Sequence, residues 1–187
     1  MKELIDYINV IYPLSQEDLK ALLAICTELT FKKNTDVQPI GHTCRSIYFV
    51  KKGALRIYYR KGDQDITETL EFENAFVARV ESLVTGLPSR KGIQAIEDSE
   101  LISINADQLR LLYNTHIELE RLVKTIFMNV FIATLNRIES IQFHSADVRY
   151  ANFVKEHPDA LKRVPLKFIA SYLGITQVSL SRIRAKH

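Results

Sequence analysis

Cysteine is scarce: Cys26 and Cys44 are the only 2 in 187 residues. They form no Cys-x-x-Cys pair, and no four-ligand set gathers around them in sequence, which argues against structural zinc or an iron–sulfur cluster. Two free thiols suit a reducing cytoplasm. The 5 histidines, at positions 42, 116, 144, 157 and 187, never pair at metal-ligand spacing and read as surface or helix-end residues. There is no Gly-x-Ser-x-Gly element, no Ser-His-Asp arrangement and no glycine-rich phosphate cradle. These gaps speak against a metalloenzyme, a triad hydrolase or a phosphoryl transferase, and no cofactor is expected. The opening Met1-Lys-Glu-Leu-Ile-Asp6 lacks the basic-then-apolar order of a secretory signal, and no apolar run approaches a membrane span. A cytoplasmic protein is expected.

What is present is apolar residue in quantity, 47% of the chain, with a formal net charge of only +3. That is enough for a proper core, in one large domain or two small ones. The charge permits nucleic-acid binding without demanding it, so local clusters matter more than the total. One such cluster closes the chain: Lys162, Arg163 and Lys167, then Arg182, Arg184 and Lys186.

The cluster surrounds the most informative stretch, Pro165 to Arg184. Pro165 suits a first helical position, where its missing N–H has no partner to lose. Leu166, Ile169, Ala170 and Leu173 then share one helical face. Gly174 supplies the left-handed residue that ends a helix, and Thr176 can cap the next one. In that second helix Leu180 and Ile183 point inward, while Gln177, Val178, Ser181 and Arg182 point away. This is the pattern of a helix-turn-helix that reads DNA. Arg182 suits guanine, Gln177 suits adenine, Val178 suits a thymine methyl, and the hydroxyls of Thr176, Ser179 and Ser181 suit phosphates. An ordinary helical hairpin is the plainer alternative.

Upstream, the period changes twice. Leu4, Ile5, Ile8 and Ile11 predict a helix ended by Pro13; Ser15 caps a second, whose stripe runs through Leu19, Leu22, Leu23 and Cys26. From Thr30 to Ile104 short β-rich runs follow at 46–50, 54–59, 66–72, 93–96 and 100–104, with turns at Lys51-Lys52-Gly53 and Lys61-Gly62-Asp63. They predict an antiparallel barrel, sandwich or roll. Between them, 75–83 is a candidate short helix. Asn105 reopens helical sequence over 106–114, and a long apolar helix is predicted over 116–143. Two of its faces need cover. One can lie on the roll; the other meets a second copy through Phe127, Val130, Phe131, Thr134 and Ile138, unless the helix is the buried centre of a monomer. Ser145 caps a further helix to Glu156, which His157-Pro158 breaks.

In this order of elements the chain resembles the Crp/Fnr superfamily of bacterial transcription regulators over essentially its whole length. The likeness rests on Gly41, Ile47-Tyr-Phe-Val-Lys-Lys-Gly-Ala-Leu-Arg56, Gln94-Ala-Ile-Glu-Asp-Ser-Glu-Leu101 and the segment Ala170–Ile183. It implies an α+β fold: a cyclic-nucleotide-binding-like antiparallel β-roll (a double-stranded β-helix or jelly roll) over 1–115, a dimerisation helix over 116–143, and a winged-helix-type helix-turn-helix domain over 144–187. It implies a homodimer on a palindromic operator, with RNA polymerase a further candidate partner. Two departures stand out. Val178 replaces the Glu that several relatives use, which changes the expected half-site. The phosphate-binding segment is also altered. Where cyclic-nucleotide binders carry Gly-Glu and then Arg before a small residue, this chain has Ala78-Arg79 and Ser89-Arg90. The candidate effector residues are therefore Arg79, Glu81, Ser82, Ser89 and Arg90, for an effector other than cyclic AMP, or none. The rival expectation is a sensor or protein-interaction module of the same fold that no longer binds DNA.

Overall fold

The computed structural model describes residues 1–185. Two helices come first, α1 (Lys2–Ile11) and α2 (Gln16–Ala24), the second capped by Ser15, whose hydroxyl accepts from the Asp18 N–H at 3.1 Å. Eight strands follow: β1 (Cys26–Phe31), β2 (Asp36–Gln38), β3 (Ser46–Lys52), β4 (Leu55–Lys61), β5 (Gln64–Glu71), β6 (Phe76–Val77), β7 (Gly92–Ala95) and β8 (Ser99–Asn105). A short helix, α3 (Val80–Thr85), interrupts them between β6 and β7. Then come α4 (Ala106–Leu112), α5 (Ile117–Phe143), α6 (Ala146–Glu156), α7 (Ala160–Arg163), α8 (Leu166–Tyr172) and α9 (Gln177–Arg184).

The strands form two antiparallel sheets of order β1-β8-β3-β6 and β2-β7-β4-β5. Side chains alternate across a strand, so β3 and β4 each serve two layers. Tyr48, Val50, Leu55, Ile57, Ile93 and Leu101 fill the space between the sheets. Ile47 and Phe49 of β3 face the other way, onto α1, α4 and α5, where the Phe49 ring lies 5.6 Å from Tyr7 and 5.1 Å from Phe76. Ala54, Leu70 and Ile96 face outward from the second sheet and join a core with Phe153, Ile169, Leu180 and Ile183 of the terminal helices. The result is five layers: helices, sheet, interior, sheet, helices. This explains why Ile47–Val50 and Leu55–Tyr58 are buried without interruption: both faces of those strands are covered.

Four expectations are corrected. The second helix stops at Ala24, and Cys26 begins β1, because β1 pairs with β8 in the register Cys26↔Ile104. The segment 75–83 divides into strand β6, paired to Tyr48 and Phe49, and the later helix α3. Pro165 is the residue before α8 rather than its first: its φ of −54° suits a helix, but its ψ of 133° is extended. No strand occurs after β8 among the described residues, so the terminal unit is all helical and the winged type is not what is seen. Lys186 and His187 lie outside the described residues.

Candidate nucleic-acid interface and roll pocket

The turn between α8 and α9 is built by backbone rules. Gly174 adopts φ +69°, its N–H donates to the Ser171 carbonyl at 3.0 Å, and the Ile175 N–H donates to the Ala170 carbonyl at 3.0 Å. Those two bonds are the Schellman pair that satisfies a helix end. The Thr176 hydroxyl then accepts from the Ser179 N–H at 3.1 Å, starting α9. Leu180 and Ile183 bury their side chains beside Ile169 and Ala170. On the other side Gln177, Val178, Ser181 and Arg182 are all exposed, within an arc of roughly 140° at 100° per residue. Neither Arg182 nor Arg184 makes an ion pair among the described residues. Ser179 differs from the rest: it is half-buried and its hydroxyl lies 3.0 Å from that of Thr176, so both are engaged in the cap.

The terminal unit is docked on the roll. Arg56 of β4 is 2% exposed, and its guanidinium lies 3.9 Å from the Phe168 ring of α8 and 4.4 Å from the Tyr58 ring. It donates to Gln94 at 2.9 Å and to Asp65 at 3.0 Å, which neutralises a charge that burial would otherwise make costly. The Thr67 N–H donates to the Ser171 hydroxyl at 2.8 Å. Arg163 donates to Glu73 and Glu97 at 2.6 Å each. Burial pushes the Glu73 carboxyl upward, but hydrogen bonds from Arg163 and the Gly53 N–H carry it below the usual carboxylate range. Arg137 of α5 stacks on Tyr172 at 3.8 Å and donates to its carbonyl at 2.7 Å. A cavity of about 370 Å³ beside Cys44, Ser82 and Arg110, and one of about 450 Å³ beside Lys52, Glu73 and Arg163, lie outside the roll's interior.

The long helix divides by length rather than by face. Leu119 and Leu122 are buried on the roll, with Val123, Ile126 and Phe127 packed beside them. Beyond Phe127 the apolar side chains stand in solvent: Val130, Phe131, Leu135, Ile138 and Ile141 are all more than two-fifths exposed. Thr134 is exposed as well, its hydroxyl donating to the Val130 carbonyl at 2.8 Å.

The five candidate effector residues do not converge. Ser82 is buried, its hydroxyl accepting from the Cys44 N–H at 2.9 Å and donating to the Leu87 carbonyl at 2.5 Å. Ser89 is buried too and closes on Lys91. Both hold the loop's own shape. Glu81 and Arg90 are exposed. Arg79 alone turns inward, 12% exposed, pairing with Glu68 at 3.7 Å.

Residues 28–116 match the family model of the cyclic nucleotide-binding domain. No curated protein matches the chain by sequence. Among solved structures, FixK2 from Bradyrhizobium japonicum is similar with a TM-score of 0.74 at 17% identity, over 87% of this chain and 84% of that one. A protein from Eubacterium rectale assigned to the crp/fnr family of transcriptional regulators gives 0.73 at 20% identity, over 95% and 85%. The c-di-GMP-responsive global regulator CLP from Xanthomonas campestris gives 0.70 at 17%, over 92% and 91%. At these identities the likeness is one of fold, and it extends through roll, long helix and terminal helices together.

The residues that sequence reasoning missed are those by which the terminal helices dock on the roll: Arg56, Thr67, Phe168, Ser171 and the Arg163–Glu73–Glu97 group. A buried Arg on a strand leaves no local signal, because its cover arrives from more than a hundred residues away. The one hint in the sequence is the position of Arg56 inside the run of residues that carries the family resemblance.

Proposed function

We propose that this chain is a sequence-specific DNA-binding transcription regulator of the Crp/Fnr type that grips a palindromic operator as a homodimer. The outward face of α9 carries the reading: Gln177, Val178, Ser181 and Arg182 are free, while Leu180 and Ile183 anchor the helix behind them. Arg182 is assigned to guanine, Gln177 to adenine and Val178 to a thymine methyl. Ser181, with Thr176 and Ser179 at the helix start, is assigned to phosphates. The exposed apolar length of α5 supports the homodimer. Phe127, Phe131, Thr134 and Ile138 recur at spacings of four, three and four, the repeat of a two-stranded seam, with Val130 alongside. Phe127 sits where that seam would meet the roll. Two recognition helices held so would enter successive major grooves about 34 Å apart. RNA polymerase is the further partner of this reading, the cytoplasm its setting, and an effector other than cyclic AMP, or none, its ligand state.

Selection of sites from random duplex DNA by the full chain tests it, followed by affinity measured across salt concentrations. A two-fold symmetric sequence should emerge, and affinity should fall steeply with salt as phosphate contacts release counterions. Arg182→Ala should cost about 1–3 kcal/mol and relax one base pair in each half-site. An unchanged site preference in that variant would refute the groove assignment. Absence of any enriched sequence would favour the interaction-module alternative.

A further inference from the structure

Strand β5 carries one residue too many for its partner β4. Ile57 pairs with Thr69 and Tyr58 pairs with Thr67, so Glu68 is the extra residue of a β-bulge. A bulge re-aims a side chain out of the ladder. Here it aims a carboxylate at two cations: Arg79, at the start of α3, and Lys91, just before β7. The Lys91 ammonium hydrogen-bonds one Glu68 oxygen, and Arg79 pairs with the other at 3.7 Å. Arg79 is mostly buried, and its Nε meets no acceptor among the described residues. Two cations brought together in a half-buried place require an anion, and this chain supplies one of its own.

We propose that Glu68 is a built-in counter-ion that fills an anion site formed by Arg79 and Lys91, tying the α3 loop to β5 without a ligand. The site is latent. It takes a free anion of the phosphate class only when the Glu68 carboxylate is removed. The loop between α3 and β7 is complete on the same terms, because Ser82 and Ser89 spend their hydroxyls on that loop and on Cys44 rather than presenting them to a ligand. The inference concerns the roll alone, so its failure would leave the reading of α9 intact.

The test is calorimetric titration of the full chain with inorganic phosphate and, separately, with cyclic AMP, on the native protein, Glu68→Gln, Glu68→Ser, and Glu68→Gln combined with Arg79→Gln. The native chain should show no binding to either probe. Removing the carboxylate should raise phosphate affinity about tenfold or more, a difference of about 1.4 kcal/mol, and the added Arg79→Gln change should abolish the gain. A gain for cyclic AMP as well would mean that the site reads the phosphate within a nucleotide. Should either single variant be unfolded in plain buffer, refolding by phosphate supports the proposal and failure to refold overturns it. Phosphate binding by the native chain as tight as by Glu68→Gln, or no gain in either variant, also overturns it.

Discussion

Replacing Arg163 by Met should cost about 2 kcal/mol at pH 7. The guanidinium makes hydrogen bonds to both Glu73 and Glu97, with side-chain exposures of 27%, 35% and 29%. A hydrogen bond to a charged partner contributes roughly 1.5–3 kcal/mol when desolvated, and a fully exposed pair contributes about 0.2–1 kcal/mol. Two carboxylates at intermediate exposure, discounted for screening, give the figure. The length of Met preserves packing against Phe72, whose ring lies 5.4 Å from the guanidinium. In a chain of this size the loss corresponds to about 4–8 °C in Tm. The pH dependence adds a second constraint. Glu73 is held below its unfolded value, so the stability it contributes is present above roughly pH 4.5 and is lost as pH falls through the lower folded value. The gap between native and variant should therefore be full at pH 7 and narrow below about pH 4. Urea unfolding at pH 7 and pH 3.5 reads both, and hydrogen exchange should locate the weakening in α6 to α9. A loss under about 0.5 kcal/mol, the level of a surface pair, or a gap independent of pH, would refute the claim that these charges dock the terminal helices.

Three further outcomes are expected. Phe131→Asp puts a charge into the exposed length of α5 and should give a monomer by sedimentation with helicity unchanged; an intact dimer would remove this face from the interface. Glu71 is pushed up to about 7 by burial, which Thr69 and Arg137 offset only in part. Its folded value exceeds its unfolded one, so the stability that Glu71 contributes should decline from about pH 4.5 to about pH 7 and then level, and Glu71→Gln should be more stable than native by about 1–2 kcal/mol at pH 8 and equal to it at pH 4; equality at both would sink the assignment. Gly53 has φ +106°, and a Cβ there would lie 2.3 Å from the Ser99 hydroxyl. Gly53→Ala should therefore cost about 2 kcal/mol or more in urea unfolding, and a neutral result would mean that the β3–β4 turn shifts freely.

What could be read from sequence was what local chemistry decides. Ser15, Asn105, Ser145 and Thr176 mark helix starts because each can cap with its own side chain, and each does so here. Gly174 marks a helix end because that end needs a left-handed residue, and the strands of the β3–β4–β5 meander show as runs of β-formers between turn glycines. What escaped was decided at long range. Cys26 continues a helical stripe by spacing, and only its pairing with Ile104 makes it a strand. Strand β6 has two residues and exists because Tyr48 and Phe49 lie beside it. Of the candidate effector set, Ser82 and Ser89 carry hydroxyls that a ligand could use, but nearby carbonyls and N–H groups claim them first. Glu68, which answers Arg79, was invisible because a bulge cannot be recognised in one strand without its partner's register.

That bulge also joins two surfaces that sequence order separates. Thr67 and Glu68 are neighbours on β5, yet they serve opposite ends of the molecule's logic. The Thr67 N–H bonds Ser171 in α8, while the Glu68 carboxylate holds Arg79 and Lys91 at the α3 loop. Arg56 reinforces the connection, since it spans from β5 through Asp65 and from β7 through Gln94 to the face of Phe168. A change in the charge balance at the α3 loop that moved Glu68 back into the ladder would have to slide β5 by a residue, and a slide of one residue turns each side chain to the other face. Leu70 would leave the core it shares with Ile169, Leu180 and Ile183. Strand β5 is thus one of the ties between α9 and the roll, beside the Arg56–Phe168, Arg163–Glu97 and Arg137–Tyr172 contacts, and a one-residue slide of that strand would disturb the core on which α9 rests.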